Sequence, residues 1–162
     1  KLLKGRDDIQ FIFTGDGEKM DEWSKLAQGL DNVIFTGWVD KLGLSYLSRV
    51  STIGLMSYKK GAPQGLPNKV FEYLSAGLPI LSSLQTETKK LLENEHIGLT
   101  YVADDVKDFI FNLKKLIDNK EELECMGGKA ISLFETKYSS AIIYENMINY
   151  FDKEILKDKV DA

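Results

Sequence analysis

Cysteine and histidine are almost missing from this 162-residue sequence, which holds one of each, Cys125 and His96. A lone cysteine excludes an internal disulfide framework. One His and one Cys also leave no usual zinc site, which takes three or four such ligands. No Asp-x-Asp occurs, so no carboxylate pair is at hand for a metal-held diphosphate. Basic charge is not in excess either: 21 Lys and Arg face 25 Asp and Glu, for a net charge of −4. That removes the electrostatic footprint of nucleic-acid binding, and no nucleic-acid partner is expected. No apolar run approaches the ~18–20 residues of a membrane span. No signal peptide is visible, because Lys1-Leu2-Leu3-Lys4 runs straight into Arg6-Asp7-Asp8. A soluble cytoplasmic protein is therefore the expectation. The chain does not open on methionine, and a fragment is expected.

What is present is ordinary globular material, 43% hydrophobic and 28% charged, at the size of one domain. Short apolar runs alternate with longer amphipathic segments. Strands are expected at Ile9–Thr14, Val33–Thr36, Thr52–Met56, Ile80–Ser83 and Leu99–Val102. Helices are expected at Glu18–Gly29, Asp40–Val50, Pro67–Ala76, Thr86–Glu95, Asp104–Asp118, Lys120–Lys137 and Ser139–Lys157, with Asp40 as an N-cap. Lys1–Lys4 reads as the tail of a further helix. Strand–helix alternation with continuous apolar strands predicts an α/β fold: a doubly wound parallel sheet of at least five strands, with helices on both faces. Such sheets bind ligands at the carboxyl ends of their strands. Four loops are thereby singled out, Gly15–Glu18, Gly37–Asp40, Ser57–Asn68 and Ser82–Thr86.

The segment from Gln64 to Ile80 carries the most chemistry. Gly65 precedes a helix begun by Pro67, and glycine lets backbone come close to a ligand. The first N–H groups, at Asn68, Lys69 and Val70, lack helical partners and join the helix dipole in an anion site. Lys69 adds a full positive charge in that turn. Glu72 lies four residues beyond Asn68 on the same face, and its carboxylate is acceptor-only, suited to a ribose diol. A solvated Lys69–Glu72 pair is the bland alternative. Gly15-Asp16-Gly17 reads as a tight turn, not a dinucleotide fingerprint, because Met20 stands where the third glycine belongs. Gly127-Gly128-Lys129 is no Walker loop and reads as a helix junction. His96 is expected at the surface and Cys125 as a buried small hydrophobe.

Together, Phe11–Gly17, Asn32-Val-Ile-Phe-Thr-Gly-Trp-Val39 and Leu66-Pro-Asn-Lys-Val-Phe-Glu-Tyr-Leu-Ser-Ala-Gly-Leu-Pro-Ile80 resemble the C-terminal half of a GT-B glycosyltransferase. The likeness is to family 4, the retaining enzymes that build bacterial O-antigen and capsule chains. It implies a Rossmann-like domain over residues 1–162 that binds a nucleotide-sugar donor without a metal or other cofactor. Uridine is the expected base and a UDP-sugar the expected donor, although guanosine fits Glu72 equally well. By this resemblance Gly15 and Gly17 line the ligand, and Gly37, Trp38 and Val39 border the base. Gly65, Leu66, Pro67, Asn68, Lys69 and Val70 cradle the diphosphate, and Glu72 holds the ribose. Lys69 and Gln64 are the residues expected at the reacting end.

Two departures qualify that reading. Gln64 stands where the family's Glu-x7-Glu element has its first glutamate, so a neutral amide replaces a charge. The family's Arg/Lys pair, its first strand of this half and the N-terminal acceptor domain are not in the sequence. The parent is expected to pass a sugar to a glycan or lipid-linked acceptor through that missing domain, with peripheral association at the inner face of the cell membrane. The fragment alone is expected to be inactive. Alternatives are a GT-B-like sugar-nucleotide epimerase half, a non-catalytic nucleotide-binding module of a split transferase, and a doubly wound domain with another ligand.

Overall fold

The computed structural model describes residues 2–155. The chain divides into two compact units, Lys1–Arg49 and Val50–Ala162. The first holds β1 (Phe11–Thr14), α1 (Met20–Leu26), β2 (Val33–Gly37) and α2 (Lys41–Val50), whose last residue belongs to the second unit. β1 and β2 are parallel, with Phe11 opposite Val33 and Phe13 opposite Phe35, and a one-residue slip then sets Thr14 against Gly37. The Phe13 and Phe35 rings stack at 5.2 Å. Asp40 does cap α2, since its Oδ1 accepts the Gly43 N–H at 2.7 Å. Neither α1 nor α2 buries a residue, and Ile9 is the one buried apolar side chain described in this unit.

The second unit holds β3 (Gly54–Met56), α3 (Asn68–Ser75), β4 (Ile80–Ser82), α4 (Glu87–Glu95), β5 (Gly98–Thr100), α5 (Val106–Ile117), α6 (Lys120–Leu133) and α7 (Ser140–Tyr150). One π-helical turn, Phe134–Tyr138, follows α6, and another, Phe151–Ile155, follows α7. β3, β4 and β5 pair in that order, all parallel, with Gly54, Ile80 and Gly98 in one row. Ile80, Leu81 and Ser82 are all fully buried. Successive strand residues face opposite ways, so both faces of this sheet are covered, as in a parallel α/β layer with helices on each side. Val70 and Leu74 of α3, Leu92 of α4 and Ala130 of α6 close the core around β4.

Gly98 shows why the strands run so tightly together: a Cβ there would lie 2.1 Å from the Ile80 carbonyl oxygen. Gly127 plays the same part between helices. It sits inside α6, and a Cβ would lie 2.7 Å from the Gly77 carbonyl oxygen just past α3. Gly127 is therefore a site of close backbone approach, and the Gly127-Gly128 pair lies inside α6 and is not a helix junction.

Several expectations are corrected. The α/β class and parallel pairing hold, but the five strands form sheets of two and three, so no sheet of five is observed. Gly54 N–H donates to Pro79 O and Met56 O accepts from Ser83 N–H, so Leu55 faces the opposite edge. There its carbonyl accepts the Tyr73 hydroxyl at 3.0 Å, not a neighbouring strand. Residues 2–5 form turns, not a helix tail, and Lys1 lies outside the described residues. α1 starts later than Glu18 because a turn comes first, with the Met20 N–H on Gly17 O at 3.0 Å. α7 ends at Tyr150, and the expected end at Lys157 lies outside the described residues. Cys125 is exposed, because α6 turns Leu123, Met126, Ala130 and Leu133 inward and leaves position 125 on its outer face. His96 is at the surface as expected, and it ends α4 in a left-handed conformation at φ 53°.

Candidate functional site: the carboxyl-edge loops

In the first unit, the carboxyl ends of β1 and β2 are tied by the hydrogen bond from Gly15 N–H to Gly37 O at 2.8 Å. Gly15 at φ 119° and Gly37 at φ 68° both adopt backbone that side chains disfavour. Asp16 Oδ1 accepts the Gly17 N–H at 2.9 Å and tightens the turn. Gly15 and Gly17 line a cleft of about 430 Å³, walled by Phe13, Phe35, Met20 and Trp23. Gly37, Trp38 and Val39 are not in its lining. Trp38 projects into solvent, 75% exposed, and Val39 packs half-buried beside Gly43.

In the second unit, the loops after β3, β4 and β5 are knitted together by side chains. Ser83 Oγ accepts the Tyr58 N–H at 2.7 Å and donates to Tyr58 O at 2.9 Å. The Tyr101 hydroxyl donates to Ser57 Oγ at 2.7 Å, and Gln85 Nε2 donates to Tyr101 O at 3.1 Å. The loop after β5 was not among the four that the sequence singles out. It borders an open hollow of about 640 Å³ lined by Lys60, Asp104, Asp105, Val106 and Lys107.

At the start of α3, Pro67 is the N-cap residue, extended at ψ 153°, and no side chain caps it. Val70 N–H is not free, since it donates to Pro67 O at 2.9 Å, and the Val70 side chain is fully buried. Asn68 and Lys69 thus carry the open N–H groups of this turn. Gln64, Leu66, Asn68, Lys69 and Glu72 are exposed, while Gly65 and Pro67 are half-buried. The Lys69 ammonium lies 5.9 Å from the centre of the Tyr73 ring. Among the described residues no ion pair joins Lys69 to Glu72, so the bland pairing is not formed and both charges face solvent.

Tyr73 anchors the site from below. Its ring fills the space where Gly54 has no side chain, a Cβ there lying 2.4 Å from Tyr73 Cδ2. Burial first, then the charge on Glu72 and the neighbouring Tyr58, push its hydroxyl up to about 12. It is therefore a proton-bearing donor, consistent with its bond to Leu55 O. The loop ahead of α3 is held by Thr86, which donates to Gln64 O at 2.8 Å, and by Thr88. The sequence points to the loop Ser82–Thr86 but gives no role to Ser83 or Thr86, and Thr88 and Tyr101 lie outside the loops it singles out. The signal for the first three is the hydroxyl-rich run from Ser82 to Thr88 that includes the end of β4, whereas Tyr101 follows β5 with no local mark.

Among the described residues, no group of three or more His, Cys, Asp or Glu side chains is placed to hold a metal. No described helix is long and apolar enough to cross a membrane.

No curated protein matches the chain. Solved structures do match its fold. TarM from S. aureus, in complex with fondaparinux, alpha-GlcNAc-glycerol and UDP, superposes with a TM-score of 0.71 at 18% identity over 91% of this chain and 30% of its own. HepE from Anabaena, in complex with UDP-glucose, gives a TM-score of 0.73 at 15% identity over 90% of this chain and 41% of its own. WaaG, a glycosyltransferase involved in lipopolysaccharide biosynthesis, gives 0.66 at 16% identity over 85% and 36%. This chain thus spans well under half the length of each of the three. The family of glycosyl transferases group 1 matches residues 1–119. The chain belongs to the glycosyl transferases group 1 family.

Proposed function

We propose that this chain is the donor-binding half of a glycosyltransferase that takes its sugar from a UDP-sugar. The observation that carries the reading is the start of α3. Asn68 and Lys69 present open N–H groups and a lysine charge, and Glu72 stands one turn further with a free carboxylate. Family membership makes a nucleoside diphosphate the fitting occupant. TarM and HepE, which share the fold, hold UDP and UDP-glucose.

In this reading the diphosphate sits at the helix mouth, with Lys69 and the two N–H groups countering the charge that builds as the sugar departs. Fixed donors of this kind need no rearrangement at the moment of reaction. Glu72 accepts the two ribose hydroxyls. Gln64 offers the sugar a neutral amide, able to orient hydroxyls but not to balance charge. Gly15, Gly17, Gly37, Trp38, Val39, Gly65, Leu66 and Pro67 are proposed as backbone and lining contacts. No base or nucleophile is assigned to this chain. The acceptor is a glycan or lipid-linked glycan brought by a further domain of the parent, in bacterial surface polysaccharide synthesis at the inner face of the cytoplasmic membrane. The donor is held without a metal.

Titration calorimetry with UDP, GDP and ADP tests this, using the chain and its Glu72→Gln variant. UDP should bind best, equally in EDTA and in magnesium. Losing one charge-assisted acceptor costs about 1.5–3 kcal/mol, so the variant should bind UDP at least about tenfold more weakly. It should also discriminate less against 2′-deoxy UDP. Equal affinity of both proteins for ribo and deoxy ligands would remove Glu72 from the site.

A further inference from the structure

Thr88 is fully buried, yet its polar atoms serve the loop ahead of α3. Its backbone N–H donates to Gly65 O at 3.1 Å, and its hydroxyl donates to the same oxygen. The single Thr86 hydroxyl proton is shared between Gln64 O at 2.8 Å and, more distantly, Gly65 O at 3.2 Å. A carbonyl has two lone pairs, and the Thr88 N–H and hydroxyl together fill them, which holds this oxygen in one orientation. Glu87 closes the other side of the same residue: a Cβ on Gly65 would lie 2.7 Å from Glu87 Oε2. Glycine would otherwise be the loosest link in the loop, since its backbone loses the most freedom on ordering. Two residues on, Pro67 caps α3 and fixes where the Asn68 and Lys69 N–H groups point.

We propose that Thr88 is a positioning residue for the donor. Its hydroxyl latches Gly65 to α4, so that the mouth of α3 is already in its binding geometry when the diphosphate arrives. The assignment rests on the donor-site reading above. Its physical basis is preorganisation: a loop ordered before binding does not have to be ordered by the ligand. No reacting atom need touch Thr88, which lies beneath the loop.

Thr88→Val is the test. It keeps shape and N–H and removes only the hydroxyl. Gly65 O retains the Thr88 N–H and Thr86 Oγ1, so no buried acceptor is orphaned and the unfolding midpoint should hold. Thr88→Ser restores the hydroxyl, and Thr86→Val cuts the half-buried second bond should Thr88→Val fail to fold. Two measurements on the full chain are compared: amide exchange at the Thr88 and Val70 N–H groups, which donate to Gly65 O and Pro67 O, and calorimetric affinity for UDP. Thr88→Val should speed exchange there by about tenfold and weaken UDP by roughly three- to tenfold, with Thr88→Ser behaving as wild type. Exchange unchanged in both valine variants overturns the latch. Faster exchange with undiminished UDP affinity overturns its role in binding. Failure of the wild type to bind UDP overturns the donor-site reading and this assignment with it.

Discussion

Tyr73 joins two functions in one side chain, since its ring supports Gly54 and its hydroxyl caps the outer edge of β3 at Leu55. That makes it testable by pH. Burial raises its folded pKa to about 12, above the ordinary 10 of the unfolded chain. Between those values the folded state keeps a proton that the unfolded state has lost. Stability from this group is therefore complete below pH 10 and is lost as pH rises through 12. Two units correspond to roughly 3 kcal/mol. Tyr73→Phe loses a hydrogen bond of about 1 kcal/mol but has no proton to give up. Urea unfolding should find the variant weaker at pH 8, with the two stabilities crossing near about pH 11. Parallel curves across that range would mean that Tyr73 is solvated and not held at Leu55. None of this was legible in the sequence, where Tyr73 is one apolar-face residue among several. Glu72 and Lys69 were legible, because a charged pair just inside a Pro-started helix needs no tertiary information to be noticed. That they would stand apart depends on Lys69 leaning over the Tyr73 ring, which only the packed helix reveals.

At the scale of elements, α6 holds a matched pair of experiments in adjacent residues. Gly127 meets the Gly77 carbonyl across the α3–α6 approach, while nothing lies within 4 Å of a Cβ built on Gly128. Both are helical, so helix propensity alone would favour alanine at each by up to about 1 kcal/mol. Packing decides otherwise. Gly128→Ala should stabilise by roughly 0.5–1 kcal/mol. Gly127→Ala must push backbone from backbone, and should destabilise by about 1–3 kcal/mol. Chemical denaturation of the two variants separates them, and stabilisation by both would show that α6 does not pack closely on Gly77. The sequence made both glycines look alike, as a junction, because a close approach between distant segments leaves no local mark. Strands and their parallel pairing were readable, since runs such as Ile80-Leu81 are apolar on both faces. Helix ends were less so. The π-helical turn at Phe134–Tyr138 continues α6 without any breaker residue, and Tyr138 is turned onto Phe71 at 5.0 Å between ring centres. The Cys125 error has the same origin, for in a helix with polar and apolar residues intermixed a one-position rotation decides what is buried.

At the scale of the whole chain, burial is distributed very unevenly. Among the described residues, β3, β4, α3, α4 and α6 carry most of the buried apolar side chains, while the first unit buries Ile9 alone. Hydrophobic burial is the main favourable term in folding, so the two units should differ in local stability. The sequence supplies its own reporters. Both tryptophans, Trp23 and Trp38, fall in the first unit, whereas most helical residues fall in the second. Trp38 is already in solvent, so Trp23 in the cleft wall is the reporter: in a urea titration its fluorescence should change at lower denaturant than far-UV circular dichroism, and two-state coincidence should fail. Amide exchange should agree, with residues of α1 and α2 open well before those of β4 and α6. Coincident transitions without ligand would show that residues 2–49 fold as firmly as the rest, and that the scarcity of buried side chains there is offset by other contacts.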